Sequence, residues 1–82
     1  MTTIPSDLER DVRALVLRML RLPAPPAGEF VRADVPEWDS LKHMEIVFAL
    51  EDKYGVQFDE SEFPALSSPA AIAAAVRQRL AA

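Results

Sequence analysis

Ser40-Leu41-Lys42-His43-Met44-Glu45-Ile46-Val47-Phe48-Ala49-Leu50-Glu51-Asp52-Lys53-Tyr54-Gly55 reads as one amphipathic helix closed by a glycine. Ile46, Val47, Leu50 and Tyr54 recur at helical spacing and form an inward stripe. Leu41, Met44 and Phe48 recur at steps of three and four on a neighbouring face, so the helix has more apolar width than one core stripe requires. Gly55 suits the left-handed conformation of a helix C-terminus. Asp39 is placed to N-cap the helix, which puts Ser40 at the first helical position with its oxygen uncommitted.

A helix start leaves backbone N–H groups unpaired and carries a partial positive charge, so a phosphate esterified to Ser40 would be electrostatically favoured there. The plainer reading makes Asp39 and Ser40 capping residues and nothing more. The extra stripe of Leu41, Met44 and Phe48 begins beside Ser40 and is rimmed by Glu45, Glu51 and Asp52. Such a strip suits protein docking, although a broad apolar face also serves as core.

Working outward, Ser6 and Glu9 have the spacing of a capping box, and Leu8, Val12, Leu15, Met19 and Leu22 then recur at steps of four and three. This predicts a first helix over about 7–21, with Arg10, Arg13, Arg18 and Arg21 on its remaining face. Pro23, Pro25, Pro26 and Gly28 end it and open a long loop, which Phe30, Val31 and Val35 would dock onto the core. Docked so, the loop delivers Trp38 and Ser40 to a fixed place. Beyond Gly55, Val56-Gln57-Phe58 is short and extended. Asp59 and Glu62 form a second capping box, for a single-turn helix broken at Pro64. Ser68-Pro69 opens a final helix, with Ile72, Val76 and Leu80 along one side. The expected fold is all-α: one domain over 1–82, a small four-helix bundle of three longer helices and one short one.

Composition excludes much chemistry. With no cysteine among 82 residues, disulfides, thiolate metal sites and a thiol nucleophile are all absent. A single histidine and no metal-ligand spacing argue against a dedicated metal site. Met1-Thr2-Thr3-Ile4-Pro5 lacks the features of a signal peptide and no run is long enough to span a bilayer, so a soluble, cytoplasmic, membrane-free and monomeric protein is expected. The net charge of −4 is unevenly spread: residues 34–62 hold nine acids against Lys42 and Lys53, and the rest hold four acids against seven arginines. An acidic middle argues against nucleic acid and toward basic protein partners.

Pairing Ser40 with His43 as a hydrolase fails. Such an enzyme needs a base aimed at the hydroxyl, an acid behind it, an oxyanion hole and a concave pocket. Gly-x-Ser-x-Gly is missing, and His43 is expected to be a surface helix residue. No catalytic residue is assigned. A serine without its own base suits a different role, as the point where another enzyme attaches a prosthetic group.

Asp39-Ser40-Leu41, Glu45, Ile46, Val47, Ala49-Leu50-Glu51-Asp52, Tyr54-Gly55 and Phe58 together resemble the acyl carrier protein family, over nearly the whole chain. The resemblance implies that a phosphopantetheinyl transferase, using coenzyme A and magnesium, esterifies Ser40 with 4′-phosphopantetheine, with Asp39 and Leu41 flanking the attachment point. The terminal thiol of that arm carries acyl groups as thioesters, which would place thioester chemistry on a chain without cysteine. By the same resemblance Leu41, Met44, Glu45, Phe48, Glu51 and Asp52 form the partner-docking face. Ile46, Val47 and Leu50 face the interior. Partners are then the transferase, an acyl- or aminoacyl-loading ligase or transferase, and downstream biosynthetic enzymes.

Lys42, His43 and Lys53 stand where bacterial fatty-acid carriers commonly place acidic or neutral polar residues, and a partner selecting a continuous acidic strip should bind this helix more weakly. Trp38 before the serine motif looks more like discrete carriers of specialised polyketide or nonribosomal pathways. Glu37-Trp38 also lacks the glycines common in peptidyl carriers. The leading expectation is therefore a discrete acyl carrier. An aminoacyl or peptidyl carrier loaded by an adenylating enzyme is the alternative within the class. From another class, an unmodified helical adaptor would grip a partner through Met44 and Phe48.

Overall fold

The computed structural model describes residues 7–81 of the chain. They form α1 (Asp7–Leu20), α2 (Ser40–Tyr54) and α3 (Pro69–Ala81), with a six-residue 3-10 helix, Glu60–Ala65, between the last two. This is the expected all-α bundle of three longer helices and a short one, with no strand among the described residues. α1 packs against both α2 and α3. The capping box read at Ser6 and Glu9 needs a residue that lies outside the described ones.

The inward face of α1 is rotated from the expected stripe. Val12, Leu15, Val16 and Leu20 are buried, while Leu8 and Met19 are only partly so and Leu22 lies beyond the helix. Two adjacent residues, Leu15 and Val16, go inward because α1 has neighbours on two sides, which a single stripe does not anticipate. Arg21 ends the helix in the left-handed region (φ 53°) and its N–H donates to the Leu17 carbonyl at 3.1 Å.

The long loop is held down by arginines as much as by apolar contacts. Arg13 Nη2 donates to the carbonyls of Pro26 (2.7 Å) and Gly28 (2.8 Å), and the guanidinium lies 5.7 Å from the centre of the Phe30 ring. Phe30 and Val35 are buried as expected. Val31 is not: it is 42% exposed, because Arg32–Asp34 forms a 3-10 turn that rotates it outward. The Arg32 N–H donates to the Ser67 carbonyl at 2.7 Å, tying this loop to the segment that enters α3.

α2 has the bounds expected of it. Asp39 Oδ1 accepts from the Lys42 N–H at 2.8 Å, and Gly55 (φ 66°) closes the helix with its N–H on the Glu51 carbonyl at 2.9 Å. Ile46, Val47 and Leu50 have no exposed surface, and Tyr54 is partly buried. The Tyr54 hydroxyl has no hydrogen-bond partner among the described residues. Burial, and then the charge of Asp11, push its pKa up.

Past Gly55, Glu51 Oε2 accepts from the Phe58 N–H at 2.9 Å, and Val56 and Phe58 are buried. Glu62 Oε2 accepts from the Asp59 N–H at 2.9 Å, one arm of the expected capping box. Pro64 sits inside the 3-10 helix instead of breaking it, and the Leu66 N–H closes the end on the Phe63 carbonyl at 3.0 Å. Arg79 of α3 clamps this segment: Nε donates to the Gln57 carbonyl at 3.1 Å, Nη2 to the Glu62 carboxylate, and the guanidinium lies over Phe58. The hydrogen bond from the Asp59 N–H holds the Glu62 carboxyl below its ordinary range; partial desolvation opposes this and Arg79 adds to it.

α3 starts as read, with Ser68 Oγ accepting from the Ala71 N–H at 3.0 Å. Ile72, Ala73 and Val76 are buried. Leu80, expected on the same side, is 55% exposed, since the last turn runs past the core.

Candidate functional site

Ser40 is the first residue of α2 and is exposed. Asp39 supplies the cap, so the serine oxygen is not drawn into closing the helix. Its neighbour is the Arg32 guanidinium, with Nη2 3.5 Å from Oγ, the outer limit of a hydrogen bond. Ser68, by contrast, has its oxygen committed to capping α3, and Ser67 is half-buried. Ser61 is exposed but sits within the short 3-10 helix. Ser40 alone among these four joins exposure to the start of a long helix.

What fixes Ser40 in place lies behind it. Trp38 is 2% exposed, and its indole Nε1–H donates to His43 Nδ1 at 2.8 Å. Nδ1 therefore accepts, so a neutral imidazole carries its proton on Nε2. Nε2 lies 2.8 Å from the Phe63 carbonyl, which accepts that proton. The residue before the cap, the first turn of α2 and the 3-10 helix are thus joined by two hydrogen bonds through one ring. Phe30 meets Trp38 edge-on with centroids 6.2 Å apart, and Phe63 meets His43 likewise at 6.5 Å.

The expectation of a surface His43 is overturned, since it is 4% exposed and both ring nitrogens are engaged. The same bonds turn it away from Ser40, which removes the hydrolase pairing on geometry. Spacing could have shown this, because His43, Val47 and Leu50 share the i, i+4, i+7 register of the buried face. Polarity hid it. A buried imidazole needs partners from elsewhere in the chain, and a tryptophan five residues upstream was the available hint.

Leu41 is 70% and Phe48 56% exposed, with Met44 half-buried between them, so an apolar strip runs along α2 from Ser40. Glu45 is exposed and pairs with Lys42 at 3.0 Å, and Asp52 is also exposed. Glu51 is half-buried, its carboxylate on the Phe58 N–H, so it serves the connection after α2 at least as much as the surface. Among the described residues no group of three histidines, cysteines or acids could hold a metal ion, and no helix is long and apolar enough to cross a membrane.

Residues 37–76, from just before the indole through most of α3, match the family model described as the phosphopantetheine attachment site. No curated protein and no solved structure matches the chain. The matched stretch contains Ser40, its cap, the indole–imidazole bridge and the exposed strip of α2. The matched segment, residues 37–76, is a phosphopantetheine-binding domain of the acyl carrier protein kind, which carries a covalently attached 4′-phosphopantetheine and is not itself a catalyst.

Proposed function

We propose that Ser40 is the residue that carries the arm, and that the protein holds acyl groups and presents them to the enzymes of a polyketide-type or other specialised pathway. The observation that carries this reading is an exposed serine hydroxyl at the first position of α2, left uncommitted by the Asp39 cap. The residues fit the group. A phosphodiester on Oγ would meet the positive end of a 15-residue helix and the Arg32 side chain, and the exposed position leaves room for an extended arm.

In the attachment step the new bond joins Ser40 Oγ to phosphorus as the pyrophosphate link of coenzyme A breaks. The adenosine bisphosphate half leaves, and the hydroxyl proton passes to a base on the transferase. No such base is offered by His43, whose nitrogens are occupied. When attached, the group supplies a terminal thiol that holds cargo as a thioester. The chain's own part is positional: the Trp38–His43–Phe63 bridge fixes the helix start, and Leu41, Met44, Glu45, Phe48 and Asp52 offer partners an apolar strip with acidic edges. Glu37-Trp38 in place of glycines, and Lys42 paired with Glu45, favour an acyl cargo and a specialised partner set over a peptidyl carrier or a housekeeping one.

Incubation with coenzyme A and a broad-specificity phosphopantetheinyl transferase should raise the intact mass by one phosphopantetheine, and Ser40→Ala should abolish the gain. Modification elsewhere, or none on the folded protein, would sink the assignment. Offering the modified protein to acyl and aminoacyl ligating enzymes tests the cargo, and selective loading of an amino acid would replace the acyl reading with the aminoacyl one.

A further inference from the structure

Arg32 comes from a loop 8 residues before Ser40, yet its guanidinium is held beside the serine oxygen from both directions. Its backbone N–H is fixed on the Ser67 carbonyl at 2.7 Å, and its Nε donates to the Trp38 carbonyl at 3.0 Å. Trp38 is in turn buried and bonded to His43 of α2. The charged fork is therefore anchored to the same structure that places Ser40, with Nη2 3.5 Å from Oγ. Such a contact is too long to do much for a neutral hydroxyl.

Beyond the start of α2 itself, the charged residues close in sequence to Ser40 are mostly acidic. Asp39 adjoins Ser40, Asp34 and Glu37 lie within six residues, and residues 34–62 hold nine acids against two lysines. Lys42, two residues along, is drawn to Glu45 at 3.0 Å. A phosphodiester built on Oγ adds one more negative charge to this setting, shared by two non-bridging oxygens two bonds beyond Oγ. A guanidinium is planar, permanently charged and presents paired donors that match such oxygens. Two of its five N–H donors point to the Trp38 carbonyl and Ser40 Oγ, and the fork geometry directs another alongside.

Resting on the assignment of Ser40 as the attachment point, we propose that Arg32 is the phosphate-binding residue of this carrier, holding the phosphodiester of the arm against the start of α2. The arm's root is then docked on the long loop, so the loop that ends α1 becomes part of the prosthetic-group site. An apo protein lacks the anion this cation is placed to meet, and loading supplies it.

The test uses the whole chain in its apo and holo forms, with the attachment site mapped by peptide mass. In the wild type, side-chain Nε–H resonances of 15N-arginine are compared between the forms. Arg32 should shift on loading, and more than Arg13 or Arg79, whose partners are unchanged. The 31P resonance of the holo protein should lie away from its position in urea, and Arg32→Gln should return it most of the way. Thermal unfolding gives a third readout: loading should lower Tm more in Arg32→Gln than in wild type, and Arg32→Lys should fall between. Unequal losses of this kind require contact between position 32 and the phosphate. A merely structural arginine would lower both forms alike. If Ser40 is loaded but the Arg32 signal, the 31P position and the apo–holo difference in Tm are all indifferent to residue 32, the Arg32 proposal falls and the Ser40 assignment stands. Loading at another residue would overturn both. Should Arg32→Gln not fold, the wild-type arginine spectra decide alone.

Discussion

The two ends of α2 are fastened to the rest of the bundle by different chemistry. At the start, Trp38, His43 and the Phe63 carbonyl form a chain of uncharged hydrogen bonds, the first buried and the second partly so, with each ring nitrogen paired. At the other end the fastening is charged and partly exposed: Glu51 of α2 holds the Phe58 N–H, and Arg79 of α3 holds the same connecting segment through Glu62 and the Gln57 carbonyl. That end also leaves the Tyr54 hydroxyl buried without a partner among the described residues. Both ends hold the same connecting segment, residues 56–65, but only the start carries Ser40. Buried neutral bonds lose a full desolvation penalty when broken, whereas exposed ion pairs are screened and contribute little. The end at which Ser40 stands is the one secured by the less yielding kind of contact.

The largest effect is expected from Trp38→Ala, which empties a core site and strands His43 Nδ1; by analogy with other buried aromatic truncations it should cost about 3–5 kcal/mol in urea denaturation. A loss near that of an exposed residue would break the comparison at its root. His43→Leu keeps much of the volume but orphans the indole N–H and the Phe63 carbonyl, at a cost of about 1–3 kcal/mol. Adding Trp38→Phe to His43→Leu should cost less than the two single changes together, because the second removes a donor the first left unpaired. Strict additivity would mean the bridge does not act as a unit.

Next in size is the cap. Asp39→Ala should cost about 0.5–2 kcal/mol, and Ser40→Ala at most about 0.5 kcal/mol. The reverse ranking would mean that Ser40 closes the helix and that its oxygen is not uncommitted. At the far end Tyr54→Phe removes the orphaned hydroxyl and should leave stability unchanged or raise it by up to about 1 kcal/mol. A clear loss would show that the phenol has found a partner.

The smallest effect concerns Glu62. Its carboxyl is held low in the folded chain, by the Asp59 N–H first and by Arg79, so it favours folding above the ordinary carboxylate range and loses that contribution as pH falls through the lowered value. Glu62→Gln should therefore flatten the acid limb of the stability profile, with a small loss of stability at neutrality that shrinks as pH falls below about 5. An unaltered acid limb would remove the charged fastening from the account of this end.

Much of this molecule is legible without its coordinates. The bounds of α2, the Asp39 cap, the left-handed Gly55 and the Ser68 cap of α3 all depend on residues within a few positions of one another, and local sequence carries local geometry. The serine motif at the start of an amphipathic helix pointed to the family for the same reason, since cap, hydroxyl and apolar stripe lie on one short stretch. Besides the rotated stripe of α1 and the placing of Pro64 inside the 3-10 helix, three readings needed the tertiary structure. Val31 was turned outward by the 3-10 turn after it, Leu80 ran past the core, and His43 went inward because a tryptophan and a carbonyl twenty residues away met its two nitrogens.

Neighbouring residues were enough to place the three long helices, the caps of α2 and α3, and the serine at a helix mouth, because capping and periodicity act over short stretches of chain. The folded structure alone decided which polar side chains are inside and what faces the serine. Burial of an imidazole or the aim of a guanidinium is settled by hydrogen bonds to groups far off in the chain, and no spacing rule specifies where those groups will be.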